Sequence, residues 1–277
     1  MRNLKGKTMI VTGAAGGIGT AIARLFDTQG VLLVLSDIDS DGLAKTARLL
    51  TREPLCVTCD ITKLEQVRTL VMAALERFGT VDILVNNAGI IEPSLFEHCT
   101  QANIQRQVDI NLIGTINCTR EVIPVMKKGG GGHIATISSM AGIVPETYGS
   151  IYTATKFALR GFNLALAIEL RHHSIGVSTI FPDSVATPML RYEAEHAGGS
   201  PITFLNAPQE PAVVAKAILN AIRYNRVEVC VPASTGIFSK IIMCWPWAVT
   251  KLWPLLEYLG ARKKTAAAQQ IRQYLEK

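Results

Sequence analysis

Seven short apolar, β-branched runs, at residues 8–12, 31–36, 55–59, 83–85, 134–138, 177–181 and 227–231, constrain the fold of this chain more than any other feature. Each is too short for a buried helix and reads as a strand covered on both faces. Between them, segments 21–27, 64–78, 104–126, 152–170 and 213–222 carry apolar residues at helical spacing. Strand–helix alternation predicts an α/β fold: a single Rossmann-type, doubly wound, seven-stranded parallel sheet with helices on both faces. The 277 residues, nearly half of them apolar, suit one large domain, expected over 1–232, followed by a C-terminal apolar helical extension, 233–277.

Several functional classes fall away on composition. The net charge is +6, but the bases are scattered and their longest cluster is Arg262, Lys263 and Lys264, so no nucleic-acid partner is expected. The opening MRNLKGKTMIVTG reaches a polar turn after a short apolar run, which fits no cleavable signal and predicts a cytoplasmic protein. Six cysteines in that setting read as reduced thiols. Cys56 and Cys59 spell Cys-x-x-Cys, but residues three apart on a strand point to opposite faces, and His172 and His173 are adjacent at a helix end. No metal site is expected. The glycines from Gly129 to Gly132 read as a turn without a ligand role.

A parallel sheet presents ligands beyond the carboxyl ends of its strands. Immediately after the first strand stands TGAAGGIG, Thr12 to Gly19, leading into a helical segment. Gly13, Gly17, Ile18 and Gly19 can bring free backbone amides and the positive end of a helix dipole against a pyrophosphate. The second strand ends in Asp37, about twenty residues further on, where a carboxylate accepts hydrogen bonds from an adenosine ribose. A phosphate on that ribose would meet Asp37 and Asp39 with no Lys or Arg in the glycine turn, so NAD(H) is expected rather than NADP(H). Asp39 and Ser40 also suit helix capping.

Tyr152 and Lys156 lie four positions apart in a helical segment, on one face. A phenol titrates near ~10, and bringing it to about 7 takes roughly 4 kcal/mol of preference for the phenolate. A neighbouring ammonium, helped by a positively charged nicotinamide, has the right sign and scale. Tyr152 could then exchange a proton with a ketone or alcohol oxygen while hydride moves to or from a nicotinamide. Ser138 and Ser139 close the fifth strand, and Asn111 lies in another helical segment.

In the order and spacing of these motifs, residues 5 to 232 resemble the short-chain dehydrogenase/reductase family. TGAAGGIG matches its Thr-Gly-x-x-x-Gly-x-Gly turn, and Asn86-Asn87-Ala88-Gly89 its Asn-Asn-Ala-Gly motif. The resemblance implies that Asp60, with Ile61, contacts adenine and that Asn87 and Gly89 belong to the cofactor site. It implies a tetrad of Asn111, Ser139, Tyr152 and Lys156. In it Ser139 polarises the substrate oxygen, Tyr152 is the general acid/base, Lys156 tunes it and holds the nicotinamide ribose, and Asn111 positions a relay water. Val185 and Thr187 align with residues that contact the nicotinamide carboxamide. Asp183 stands where the family usually has glycine, and because glycine alone takes positive φ freely, a different loop path is expected there. The family's helices corresponding to 104–126 and 152–170 imply a homodimer or homotetramer.

Residues 188–211, with Gly198, Gly199 and Pro201, read as a mobile loop over a substrate cleft. Beyond the last strand, Ile237, Phe238, Ile241, Ile242 and Trp245, then Val249, Leu252, Leu256 and Leu259, form an apolar helical face interrupted by Pro246 and Pro254. Lys240, Lys251 and the prolines argue against a membrane span. Two expectations stand: a flap on the substrate pocket or a neighbouring subunit, or a peripheral membrane contact through 237–264. Both favour a lipophilic secondary alcohol or ketone of steroid, retinoid or long-chain type. A 3-oxoacyl thioester is the alternative substrate, and an NAD-binding sensor or scaffold with little turnover is the alternative function.

Overall fold

A computed structural model describes residues 1–196 and 199–275; Ala197, Gly198, Glu276 and Lys277 lie outside it. The strands are β1 (Thr8–Thr12), β2 (Leu32–Asp37), β3 (Leu55–Thr58), β4 (Ile83–Asn86), β5 (Gly132–Ile137), β6 (Ile175–Pro182) and β7 (Glu228–Val231). They are crossed by helices α1 (Gly17–Thr28), α2 (Ser40–Ala47), α3 (Leu64–Phe78), α4 (Gln101–Val108), α5 (Thr115–Lys128), α6 (Ser150–Glu169), α7 (Pro188–Glu195), α8 (Pro211–Tyr224), α9 (Ala233–Ile242) and α10 (Pro246–Leu275). All seven strands run parallel in the order β3-β2-β1-β4-β5-β6-β7.

The strand pleat builds two cores. Met9, Val11, Leu33, Leu35, Ile83 and Val85 face α1 and α8 through Ile22, Phe26, Val214 and Ile218. Ile10, Val34, Leu84 and Ile134 face the other way, onto Val67, Leu70, Val122 and Leu166 of α3, α5 and α6. The central strands β1, β4 and β5 are thus buried on both faces, as their continuous apolar character requires, while the edge strand β3 alternates half-buried and exposed residues. β1 pairs with β2 on one side and β4 on the other. Strands are added on one side of β1 through β2 and β3 and on its other side from β4 onward, so a crevice opens beyond the carboxyl ends of β1 and β4.

Three expectations change, and at Asp183 the loop takes the form of its own carboxylate's bonds. The segment 104–126 is two helices, α4 and α5, joined by a π-helical turn, Asp109–Gly114. The expected loop at 188–211 contains α7 and a 3-10 turn, Pro201–Phe204; Gly198 lies outside the described residues. Thr187 caps α7 by accepting a hydrogen bond from Leu190 N at 3.3 Å, and Pro188 supplies the first-turn φ. Pro246 begins α10, but Pro254 does not break it. Ala267 and Ile271 of α10 pack on Leu190 and Phe204, and a Cβ at Gly260 would overlap the Pro201 carbonyl. That packing outweighs one backbone hydrogen bond lost to proline. Asp183 has no positive φ. Its carboxylate instead accepts from Ser184 N at 2.9 Å and Asn206 Nδ2 at 2.8 Å, tying down the loop after β6.

Candidate active site

The crevice is one cavity of about 790 Å³ that runs from the glycine turn to α7. At its first end the turn is held by side chains from neighbouring strands. Thr12 Oγ1 accepts from Asn87 N at 3.1 Å and Ala88 N at 3.2 Å, while Asn87 Nδ2 donates to Gly13 O at 2.8 Å. Gly13 has φ +65°, and a Cβ there would stand 2.7 Å from the Ala88 backbone. The Gly-x-x-x-Gly-x-Gly and Asn-Asn-Ala-Gly motifs are therefore two halves of one hydrogen-bonded unit. Gly17 and Ile18, the first residues of α1, line the cavity beside Gly13.

Asp37, at the end of β2, accepts from Ala15 N at 3.0 Å and Asp39 N at 3.1 Å and lines the same cavity. Asp39 caps α2 by accepting from Gly42 N. Asp60 accepts from Thr62 N and Thr62 Oγ1, and with Ile61 it borders the crevice. An anion-receptive helix start, a ribose-facing carboxylate and a flanking apolar wall along one crevice fit an adenine dinucleotide. Gly89, Lys156, Val185 and Thr187 extend the lining toward where its nicotinamide would lie.

Ser139, Tyr152 and Lys156 meet further in. α6 carries Tyr152 and Lys156 one turn apart, with the Lys156 Nζ 5.4 Å from the Tyr152 ring centre. Lys156 is 4% exposed and donates to Ile137 O at 3.1 Å, so its ammonium is fixed from the β5 side. Ser139 hydrogen-bonds to Tyr152 and accepts from Ala141 N at 3.1 Å. Ser138 is different: it is buried and donates to Lys156 O at 3.1 Å, a bond that seats α6 on β5. The pleat alternates the two hydroxyls, and only Ser139 is in reach of the phenol.

Two expected site residues do not reach the cavity. A Cβ on Gly19 would overlap the Gly13 carbonyl, so this glycine lets α1 pack on the turn. Asn111 is fully buried in the π turn; its amide donates to Ile90 O at 2.9 Å and accepts from Ile90 N at 2.8 Å. The side chain fixes the irregular segment that follows Asn-Asn-Ala-Gly. Asn111 Nδ2 also donates to Thr155 Oγ1 at 3.2 Å, tying that segment to α6.

The electrostatics depart from the sequence argument. Burial pushes the Tyr152 phenol up, and the charges of Glu146 and Glu193 add to that, while the Ser139 hydrogen bond opposes it. Burial also pushes Lys156 down to about 8. Desolvation is the largest cause at both residues, because each loses water on burial. Tyr152 is thus a protonated donor at neutral pH.

A model described as short chain dehydrogenase matches residues 7–198. This chain belongs to the short-chain dehydrogenase family. It is similar to SadH of Mycobacterium tuberculosis, named as an oxidoreductase, at 34% identity across 83% of this chain and 88% of the relative. The 3-oxoacyl-[acyl-carrier-protein] reductase FabG of Thermotoga maritima is 32% identical across 76% of this chain and 89% of the relative. The crystal structure of a short chain dehydrogenase/reductase from Burkholderia phymatum in complex with NAD superposes with a TM-score of 0.80 at 25% identity, covering 87% of this chain and 94% of that one.

A short-chain dehydrogenase site here includes residues that sequence reasoning passed over. Glu146, in the turn before α6, and Glu193, on α7, both line the cavity. Glu146 follows the fifth strand, where a parallel sheet places its site, and could have been flagged on that ground. Glu193 could have been found had Thr187-Pro188 been read as a helix start, which puts Leu190 and Glu193 on one face.

Proposed function

We propose that this short-chain dehydrogenase is an NAD(H)-dependent oxidoreductase that interconverts a secondary alcohol and a ketone on a lipophilic substrate of steroid, retinoid or long-chain type. The observation that carries the proposal is the convergence of Ser139, Tyr152 and Lys156 on the same cavity as the dinucleotide-type lining. Gly13, Gly17, Ile18, Asp37, Val185 and Thr187 would hold the dinucleotide, whose dihydronicotinamide would supply a hydride to the carbonyl carbon. Tyr152 delivers its proton to the carbonyl oxygen, Ser139 holds that oxygen, and Lys156 steadies the resulting phenolate until solvent reprotonates it. The substrate gains one hydride and one proton, and oxidation of the alcohol is the reverse.

NAD(H) is preferred to NADP(H) on charge. At the ribose end the lining is Ser36, Asp37 and Ile38, without a Lys or Arg to meet a 2′-phosphate. The apolar wall of Ile90, Met140, Met189 and Leu190 supports a lipophilic substrate. The FabG likeness favours a 3-oxoacyl thioester as the second reading, which Glu193 and Glu146 disfavour if the thioester carries a phosphate near them.

Exposed Leu164 and Ile168 on α6, with Ile113, support a homodimer or homotetramer. Exposed Ile237, Phe238, Ile241, Trp245, Trp247 and Leu255, with Lys240 and Lys251 among them, support a peripheral contact with an anionic membrane surface. Among the described residues no helix is long and apolar enough to cross a membrane. Light scattering and co-sedimentation with anionic vesicles test these two contacts.

The decisive test is NADH oxidation with a panel of lipophilic ketones. Tyr152→Phe should lower kcat about a thousandfold while the NADH dissociation constant stays within about threefold. NADH binding with no Tyr152-dependent turnover would instead support the sensor reading.

A further inference from the structure

Glu146 and Glu193 serve neither the dinucleotide end of the cavity nor the proton transfer. Glu193 is 7% exposed and lines the cavity, yet its carboxylate accepts no hydrogen bond and makes no ion pair within 4 Å among the described residues. The Glu146 carboxylate, half-buried on the facing turn, likewise accepts no hydrogen bond among them. A buried carboxylate without partners costs stability. Neither group supports a helix cap or a turn, so the fold itself gives no reason for them. Both lie near enough to Tyr152 for their charges to act on its phenol, which sets them at the substrate end.

We propose that Glu146 and Glu193 form a polar terminus of the substrate pocket that binds a hydroxyl group of the substrate remote from the reacting carbon. This deepens, and rests on, the dehydrogenase reading above. Burial pushes both carboxyls up, with the charge of Asp183 adding at Glu146, which reaches about 7, and the charge of Glu146 adding at Glu193, so both are biased toward the neutral carboxyl and Glu146 holds a proton part of the time near neutrality. A carboxyl–carboxylate pair both donates and accepts, as a neutral hydroxyl does. A carboxylate or phosphate on the substrate would be repelled, and an apolar terminus would leave both groups unpaired.

The extension holds this terminus in place. Lys264 of α10 donates to His196 O at 2.9 Å and Gly199 O at 3.2 Å, clamping the chain just after α7, and its charge draws Glu193 toward the ionised form. Glu193 is therefore positioned by a segment outside the strand–helix repeat.

The test compares a long-chain methyl ketone with its ω-hydroxy, ω-amino and ω-carboxy counterparts, using the full chain with NADH. Wild type should favour the ω-hydroxy ketone over the plain one by at least about tenfold in kcat/KM, mostly through KM. The ω-carboxy ketone should be the poorest. Glu193→Leu and Glu146→Leu should each cut the hydroxyl preference to within about threefold, whereas Glu193→Gln, which keeps a donor and an acceptor, should retain part of it and serves if the leucine variant does not fold. Equal kcat/KM for plain and ω-hydroxy ketones, a preference that survives both leucine variants, or selection of the ω-amino ketone over the ω-hydroxy one would each overturn the proposal. Calorimetric affinities for the NAD-bound protein give the same ratios without turnover. Absent turnover with an intact ratio would then count against the dehydrogenase reading alone.

Discussion

The two ends of the cavity are built on opposite principles. At the dinucleotide end the polar groups are already satisfied by one another: Thr12 with Asn87 and Ala88, Asn87 with Gly13, Asp37 with Ala15 and Asp39, Asp60 with Thr62. At the substrate end Tyr152 and Lys156 are buried with few partners, and Glu146 and Glu193 accept no hydrogen bonds among the described residues. A hydrogen-bonded scaffold holds a shape before its ligand arrives. Unpaired groups in a largely buried pocket instead leave interaction energy that a matching ligand can release. The contrast explains how one end can be common to a family while the other selects.

If that contrast is right, removing the charge at Lys156 should stabilise the fold while disabling it. Its ammonium titrates at about 8 in the folded chain and at 10.5 when solvated. Between those values the unfolded chain holds a proton that the folded chain has released, so stability rises with pH across the window, and below pH 8 the full penalty remains. Lys156→Met should therefore gain up to about 3 kcal/mol at pH 7 in the cofactor-free state and lose kcat at least a hundredfold. Thermal melts from pH 7 to 10.5, wild type against variant, check the sign; an equal pH slope in both proteins would refute it.

Asp37→Ala probes the satisfied end and should weaken NADH binding about tenfold to a hundredfold, narrowing the gap to NADPH, as expected for losing charge-assisted hydrogen bonds worth about 2 kcal/mol. Fluorescence titration with both nucleotides measures it. A uniform loss for both would mean that Asp37 only braces the turn through Ala15 N.

The smallest effect is expected where the extension meets α7. Ile271→Ala removes a 1% exposed side chain from the contact with Leu190 and Phe204. Because this cluster lies apart from the two sheet cores, the change should raise substrate KM about threefold to tenfold with little change in Tm or NADH affinity. A large fall in Tm would show that α10 is part of the global folding unit.

Much of this could be read along the chain. The strand runs and the glycine turn announced the sheet, Tyr152 and Lys156 share one face as their spacing implied, and Ser139 lines the same cavity, as the family resemblance implied. What resisted was whatever depends on a distant partner. Pro254 signals a break, yet α10 continues because Ala267 and Ile271 find Leu190 and Phe204. Asp183 suggested a different loop path, but not the partner its carboxylate finds in Asn206. The Tyr152–Lys156 spacing, with a positively charged nicotinamide, suggested a depressed phenol; among the protein's own groups, burial and two carboxylates from other segments push the other way.

By itself the sequence determined the seven-stranded α/β frame, the dinucleotide turn and the order of the proton-handling residues. These follow from backbone periodicity and from motifs whose members are adjacent along the chain or one strand apart. Tertiary structure alone decided that Asn111 braces Ile90, that α10 covers α7, and that Glu146 and Glu193 face one cavity. Desolvation and long-range contact belong to the packed state, where residues remote in sequence exclude water together, and no local pattern encodes which of them will meet.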